Sequence, residues 1–484
     1  MPLSRRLTIG LGIATATTLA TITSAPLTVA AAPAPAHVTA ARDAASWLAG
    51  EFKNGSLPGP FTPEDWGLTI DGLVALSATG VDAQTRQAAT AQVAKHVRSY
   101  NSYDDWGIEG FTDGGATAKL LYAAAAADAD PTDFGGYDLR AETLSLIATA
   151  DAGHQRGRIT SRTTADSGPD ASNTFDQSFA VLGLARSGDL PQDPVDFLIR
   201  QQCAAGGFRL YPDAADGPSP SCDDQPGATL DVDSTAMAVQ ALLAAAEDGA
   251  TGAGDAARKG ADWLVTQQHA DGSFGGSGPT TGANSNSTGL AGQALAAAGR
   301  DDEAARAATA LAALQLTAGN GGAASADAGA IAYNTDGFTA AAAAGITDTD
   351  RDQWRRATAQ ALLGLAQVPL GRIGLDPPPT STPTPTGTAS PTAPSTPSAS
   401  PTLTTSPPPT GTAGPTPSVT SPPATPAPTT AAPATAAPPI TTPAASGPGG
   451  LPTTGVAIGS YLLIALLLIG GGVTLLVLGR RRAG

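Results

Sequence analysis

Between residues 37 and 373, hydrophobic positions fall into short Ala- and Leu-rich runs separated by polar, glycine-rich stretches. The clearest run is Asp231-Val-Asp-Ser-Thr-Ala-Met-Ala-Val-Gln-Ala-Leu242. Asn284-Ser-Asn-Ser-Thr-Gly-Leu-Ala-Gly-Gln-Ala-Leu295 nearly copies it, and Asn334-Thr-Asp-Gly-Phe-Thr-Ala-Ala echoes it. Asp71-Gly-Leu, Asp113-Gly-Gly and Asp176-Gln-Ser open similar runs. Each reads as a small-residue helix opened by a polar residue that accepts from free backbone N–H groups. The expected caps are Asp71, Asp113, Asp176, Asp233, Asn286 and Asp336.

A second kind of helix precedes most of these runs. Phe197-Leu-Ile-Arg-Gln-Gln202 matches Trp263-Leu-Val-Thr-Gln-Gln268, followed by Gly207-Phe208 and Ser273-Phe274. Trp47-Leu48 and Leu311 to Gln315 take that place in the first and last repeats. Gly206-Gly207 and Asp271-Gly272 are helix-stop signals. Small faces on one set of helices (Ala236 and Ala238, Gly289 and Ala291, Ala116 and Ala118) allow close crowding. The companions carry bulkier anchors, Trp47, Phe197, Trp263 and Trp354. The expected fold is all-α, an α/α toroid of six helical hairpins over 37–373. The outer-helix pattern, aromatic-Leu-aliphatic-x-Gln-Gln and then Asp-Gly-Ser-Phe-Gly, resembles the repeat of squalene cyclases and protein prenyltransferases. That resemblance implies the toroid and leaves its activity open.

The ends set an expected address. Ser4-Arg-Arg6 and the uncharged stretch to Ala36 read as an export signal over 1–36. Residues 374–450 are rich in Pro, Thr, Ser and Ala, and carry no charge from Pro377 to Gly450; such a segment is a disordered stalk. The uncharged run 456–478 is about 35 Å long as a helix, enough to cross a bilayer, and Arg480 to Arg482 follow in the basic tail 479–484. Leu451-Pro452-Thr453-Thr454-Gly455 stands before the span. Pentapeptide, span and basic tail together resemble the sorting signal of Gram-positive surface proteins. The resemblance implies cleavage by a sortase after Thr454 and attachment of Thr454 to peptidoglycan, after a transient stay in the membrane.

Composition narrows the partners. The formal net charge of −16 excludes the basic footprint of a nucleic-acid binder. In an exported chain Cys203 and Cys222 are expected to form a disulfide. It would close a loop of about 20 residues, worth roughly 3 kcal/mol in the chain-entropy model.

For chemistry, Asp231-Val-Asp233-Ser-Thr-Ala236 resembles the Asp-x-Asp-Asp, Thr-Ala acid motif of class II terpene cyclases, except that Ser234 replaces the last Asp. On that resemblance Asp233 is the general acid, with Asp231 beside it. Only 10 Phe, 7 Tyr and 5 Trp are present to stabilise cations. Metal and cofactor are not expected: no His follows His269, and no thioester motif occurs. The expected role is therefore ligand binding at the cell wall, with a terpene-cyclase-like or glycan-modifying enzyme as the alternative. Parallel inner helices would gather Trp66, Asp71, Trp106, Asp113, Asp176, Asp231, Asp233, Phe274, Asn284, Asn334 and Asp336 at one mouth, a bowl for an extracellular glycan, peptide or lipid. Exposure of Trp66, Trp106, Asp231 and Phe274 there would favour binding; their burial would make them structural.

Overall fold

The computed structural model describes residues 35–214 and 217–375. Most of the export signal, the stalk beyond Leu375, the motif 451–455, the span 456–478 and the tail 479–484 lie outside the described residues. Among the described residues no helix is long and apolar enough to cross a membrane.

The described chain is mostly helical. Its helices are α1 (Pro35–Glu51), α2 (Trp66–Thr79), α3 (Ala83–Lys95), α4 (Val97–Asn101), α5 (Gly114–Ala126), α6 (Leu139–Ser145) and α7 (Thr174–Arg186). They continue as α8 (Gln192–Arg200), α9 (Val232–Glu247), α10 (Ala253–Gln267), α11 (Ser285–Ala297), α12 (Asp301–Ala313), α13 (Thr335–Ala344) and α14 (Arg351–Ala366). Two antiparallel ribbons lie between α8 and α9. One pairs β1 (Phe208–Arg209) with β4 (Leu230–Asp231); the other pairs β2 (Asp213–Ala214) with β3 (Gly217–Pro218).

Six helices make a closed ring. In order, α2, α5, α7, α9, α11 and α14 each pack on the next, and α14 returns to α2. The remaining helices, α13 apart, lie outside: α1 against α14 and α2, α8 against α7 and α9, α10 against α9 and α11, α12 against α11 and α14. Small residues permit this crowding. A Cβ on Gly364 of α14 would come within 2.8 Å of Gly289 Cα in α11.

The sixth inner helix is α14, not the Ala-rich α13 expected from Asn334 and Asp336. On α13 only Ala341 is buried. Trp354, expected on an outer helix, is buried in the first turns of α14.

A recurring hydroxyl identifies the inner helices. Thr69, Thr235, Thr288 and Thr358 accept from the backbone N–H of Leu57, Phe208, Phe274 and Ile331 at 2.8–2.9 Å. Thr117 accepts from Asn101 Nδ2 at 3.0 Å, and Gln177 Oε1 takes the Ile159 N–H at 2.8 Å. These contacts face the loops outside. At about 100° per residue, positions two before and two after this residue lie on the opposite face, toward the ring axis.

One end of the ring is closed. After α14 the chain crosses the C-terminal ends of the inner helices, with Leu370 and Ile373 buried. Leu370 N–H donates to Gln240 Oε1 at 2.8 Å, and Tyr122 Oη donates to Leu370 O at 3.0 Å. Gln293 Nε2 donates to Val368 O at 2.6 Å, and Arg186 Nη1 to Ile373 O at 2.7 Å. This segment covers the C-terminal end of the ring.

Candidate functional site

The capping residues differ from those expected. Side chains cap five of the ring helices, Asp65 (α2), Asp113 (α5), Asn173 (α7), Asp231 (α9) and Asn284 (α11); α14 starts after Asp350 without a side-chain cap, and Asn334 caps α13, which is not a ring helix. Of the expected six only Asp113 caps. Asp71 lies mid-helix. Asp176 is the third residue of α7, closing a capping box with Asn173. Asp233 and Asn286 are second residues of their helices, and Asp336 is exposed on α13. The roles of Asp231 and Asp233 are thus exchanged. Asp231 takes an extended conformation, φ −121° and ψ 129°, and accepts from Ser234 N and Oγ, each at 2.7 Å. Capping is fully accounted for without Asp233.

Asp233 points to the axis, two residues before Thr235. It is 4% exposed, and its Oδ1 has no hydrogen-bond partner. Burial, then the charge of Asp231, pushes its carboxyl group up to about 7, against a hydrogen bond from Ser287 of α11. Gly276 makes room for it: a Cβ there would stand 2.9 Å from Asp233 Oδ2. Tyr333 is half-buried nearby, its hydroxyl raised by burial and then by the charge of Asp233. Asn286, at the matching place in α11, is equally buried, and its Oδ1 is also unpaired.

A second carboxyl group sits on the neighbouring helix. Asp176 is buried; Oδ2 accepts from Asn173 N–H at 2.8 Å and Oδ1 is unpaired. Burial, then the charge of Asp113, raises it well above the usual range. It leans onto the first turn of α5, where a Cβ on Gly115 would be 2.0 Å from Asp176 Oδ1. Asp113 is itself raised by burial and by Asp170, and Arg158 approaches Asp170 at 3.7 Å.

One turn deeper, Asp71 of α2 pairs with Lys119 of α5 at 2.6 Å, two residues after the outward threonines. Burial disfavours the Lys119 charge, but Asp71 outweighs it and holds the ammonium protonated. Phe179, Met237, Leu290 and Gln360 occupy the same level. On α14, Arg356 donates to Asp65 Oδ2 at 2.6 Å, tying the last inner helix to the first.

The aromatic residues divide. Phe274 and its counterpart Phe208 are fully buried core, not ligand contacts. Trp66 is partly buried and stacked on His96 at 4.1 Å. Trp106 is 54% exposed and Tyr211, the alternative to Phe208 as a rim aromatic, 50%; Phe61, not expected there, is 89% exposed. All three stand on loops at the N-terminal ends of inner helices. Asn284 and Asp231 are buried caps and present no free rim group. Cys203 and Cys222 are disulfide-bonded, with Cα atoms 4.9 Å apart.

No protein-family model and no curated protein matches this chain. Among solved structures it is similar to an unsaturated glucuronyl hydrolase from Bacillus sp. GL1, at 13% identity, covering 70% of this chain and 96% of that one, with a TM-score of 0.43. It is also similar to an α-1,6-mannanase of Salegentibacter sp. HEL1_6 (12% identity, 68% and 99% covered, TM-score 0.46). A third is the type II terpene cyclase MstE from Scytonema (14% identity, 69% and 98% covered, TM-score 0.45). Likeness at this level carries no argument about activity.

Proposed function

We propose that the ring is a catalytic cup that cleaves an extracellular glycan, with Asp233 as the proton donor. The observation that carries this is Asp233 itself: an axis-facing carboxyl group, spared from capping by Asp231, that keeps its proton near neutral pH. A donor of that kind protonates the bridging oxygen as the bond from sugar carbon to oxygen breaks; water then adds at the carbon and returns its proton to the Asp233 carboxylate. Asp176, on the adjacent inner helix, is the second carboxyl group. Ion-paired and amide side chains at the axis (Asp71, Lys119, Gln360, Asn286) suit a polyhydroxylated substrate. Phe61, Trp106 and Tyr211 offer apolar faces to sugar rings at the mouth.

We also propose that the protein acts at the cell wall, exported, joined by sortase through Thr454 and held on its Pro/Thr-rich stalk. The order of motif, apolar span and arginines supports this reading. Wall fragments carrying the protein would end in Thr454 linked to a peptidoglycan peptide; an intact C-terminus at Gly484 would rule it out.

The catalytic reading is tested by incubating the mature protein with neutral polysaccharides (mannan, dextran, arabinogalactan) and assaying new reducing ends. Cleavage is expected, lowered about 10²–10⁴-fold by Asp233→Asn. Equal activity in wild type and variant would refute Asp233 as the donor.

A further inference from the structure

Both acid-bearing turns hang from one two-residue strand. On one side of β1, Phe208 N–H donates to Thr235 Oγ1 of α9 at 2.8 Å, and Phe208 pairs with Asp231. On the other, Thr174 of α7 donates its hydroxyl to Arg209 O at 2.6 Å and its N–H to Leu210 O at 2.9 Å. Asp176 follows Thr174 by two residues, and Asp233 follows Asp231 by two. β1 therefore bridges the first turns of α7 and α9, which carry the two carboxyl groups.

The strand is fixed by its own side chain. Arg209 is 1% exposed. Its Nε and Nη2 grip Gln201 Oε1 at 3.0 and 2.7 Å. Nη1 donates to Ser219 Oγ at 2.7 Å and to Gln225 Oε1, and Nη2 donates to Ser219 O at 3.3 Å. Gln201 caps the end of α8; Ser219 lies in the loop that the Cys203–Cys222 bond closes, and Gln225 stands just beyond it. Cys222 N–H further donates to Arg200 O at 2.9 Å. A guanidinium buried this deeply is costly unless its donors are satisfied. Its planar fork then fixes orientation in a way a lysine cannot.

We propose that Arg209, together with the Cys203–Cys222 bridge that closes its cradle, positions the Asp176 and Asp233 turns without touching substrate. The proposal rests on the reading of Asp233 as the proton donor, and its test needs no substrate. The charged and titratable groups facing Asp233 are Asp231 on its own helix and Tyr333 on the loop before α13; both stay unchanged in the variants. In the full mature protein labelled with [13C]aspartate, the Asp233 carboxyl signal is assigned by its loss in Asp233→Asn. It is then titrated in the oxidised protein, in the reduced protein, in Arg209→Met and in Arg209→Lys. The oxidised wild type is expected to titrate near neutrality. Reduction and Arg209→Met should lower the midpoint by about one unit, a tenfold loss of proton affinity. Arg209→Lys should fall between, with helical circular dichroism retained in all four. An unchanged midpoint throughout overturns the positioning role while leaving Asp233 as donor. Global loss of helix on reduction also overturns it, since the bridge would then be a staple of the whole fold. A wild-type midpoint in the ordinary carboxylate range instead defeats the donor reading itself, and the positioning role with it.

Discussion

Replacing Asp233 with Asn separates the stability of this cup from its chemistry. The folded domain holds the Asp233 proton up to about pH 7, whereas the unfolded chain releases it near 3.8. Folding therefore favours the protonated form. The stabilising contribution is fully present below the unfolded value and is lost as pH rises through about 7. A gap of about 3 units corresponds to on the order of 4 kcal/mol, an upper bound. Asn keeps the shape of the neutral acid and never ionises, and the chain already places Asn286 at the matching position of α11. The variant should match the wild type near pH 4 and become progressively more stable than it up to pH 8. Guanidinium unfolding at one-unit steps from pH 4 to 8 measures this difference directly. Asp113 and Asp176 titrate in both proteins, so their contributions cancel. A difference that does not change with pH, or a variant less stable at pH 8, would refute the argument. Such stabilisation alongside lost cleavage is expected where a group is retained for chemistry at the expense of the fold.

Three other substitutions probe the same architecture. Asp231→Ala should cost about 1 kcal/mol by uncapping α9, whereas Asp231→Asn should hold the melting temperature, since Asn284 caps α11 in the same way. Asp231→Asn should also lower the Asp233 midpoint, because the neighbouring charge is gone. Gly115→Ala drives a methyl group into Asp176 and should cost about 2 kcal/mol by denaturant unfolding, partly recovered with Asp176→Ser in the double mutant. Leu370→Ala removes a buried side chain from the floor and should cost about 3 kcal/mol in the same assay.

The helices and their repetition were legible because small, apolar runs between polar loops leave few alternatives. The helix starts were not. Asp231 and Asp233 are both polar, and which of them caps depends on β1 holding residue 231 extended, a pairing across more than twenty residues that local pattern does not record. The sixth inner helix was missed for a different reason. Composition favoured α13, but the useful signal was a Thr four residues after the cap, as in Asp65–Thr69, Asp113–Thr117, Asp231–Thr235 and Asn284–Thr288. Asn334 has Phe338 in that place, which sets α13 apart; on α14 Thr358 plays the same part but stands eight residues after the cap Asp350, so the spacing does not reveal it. Lys119, Arg209 and Phe61 carry no local signature at all. Their roles come from partners brought together by ring closure.

The floor of the cup has a mechanical meaning. A pull on the chain beyond Leu375 meets the Arg186–Ile373 tie first, then the Arg372–Glu247 ion pair, the two bonds to Leu370 and the Gln293–Val368 bond. These load one after another, as a zipper does, so tension is spent peeling the segment away from the helix C-termini. The Asp176 and Asp233 turns stand at the far ends of those helices, and force entering through the C-terminus reaches them last.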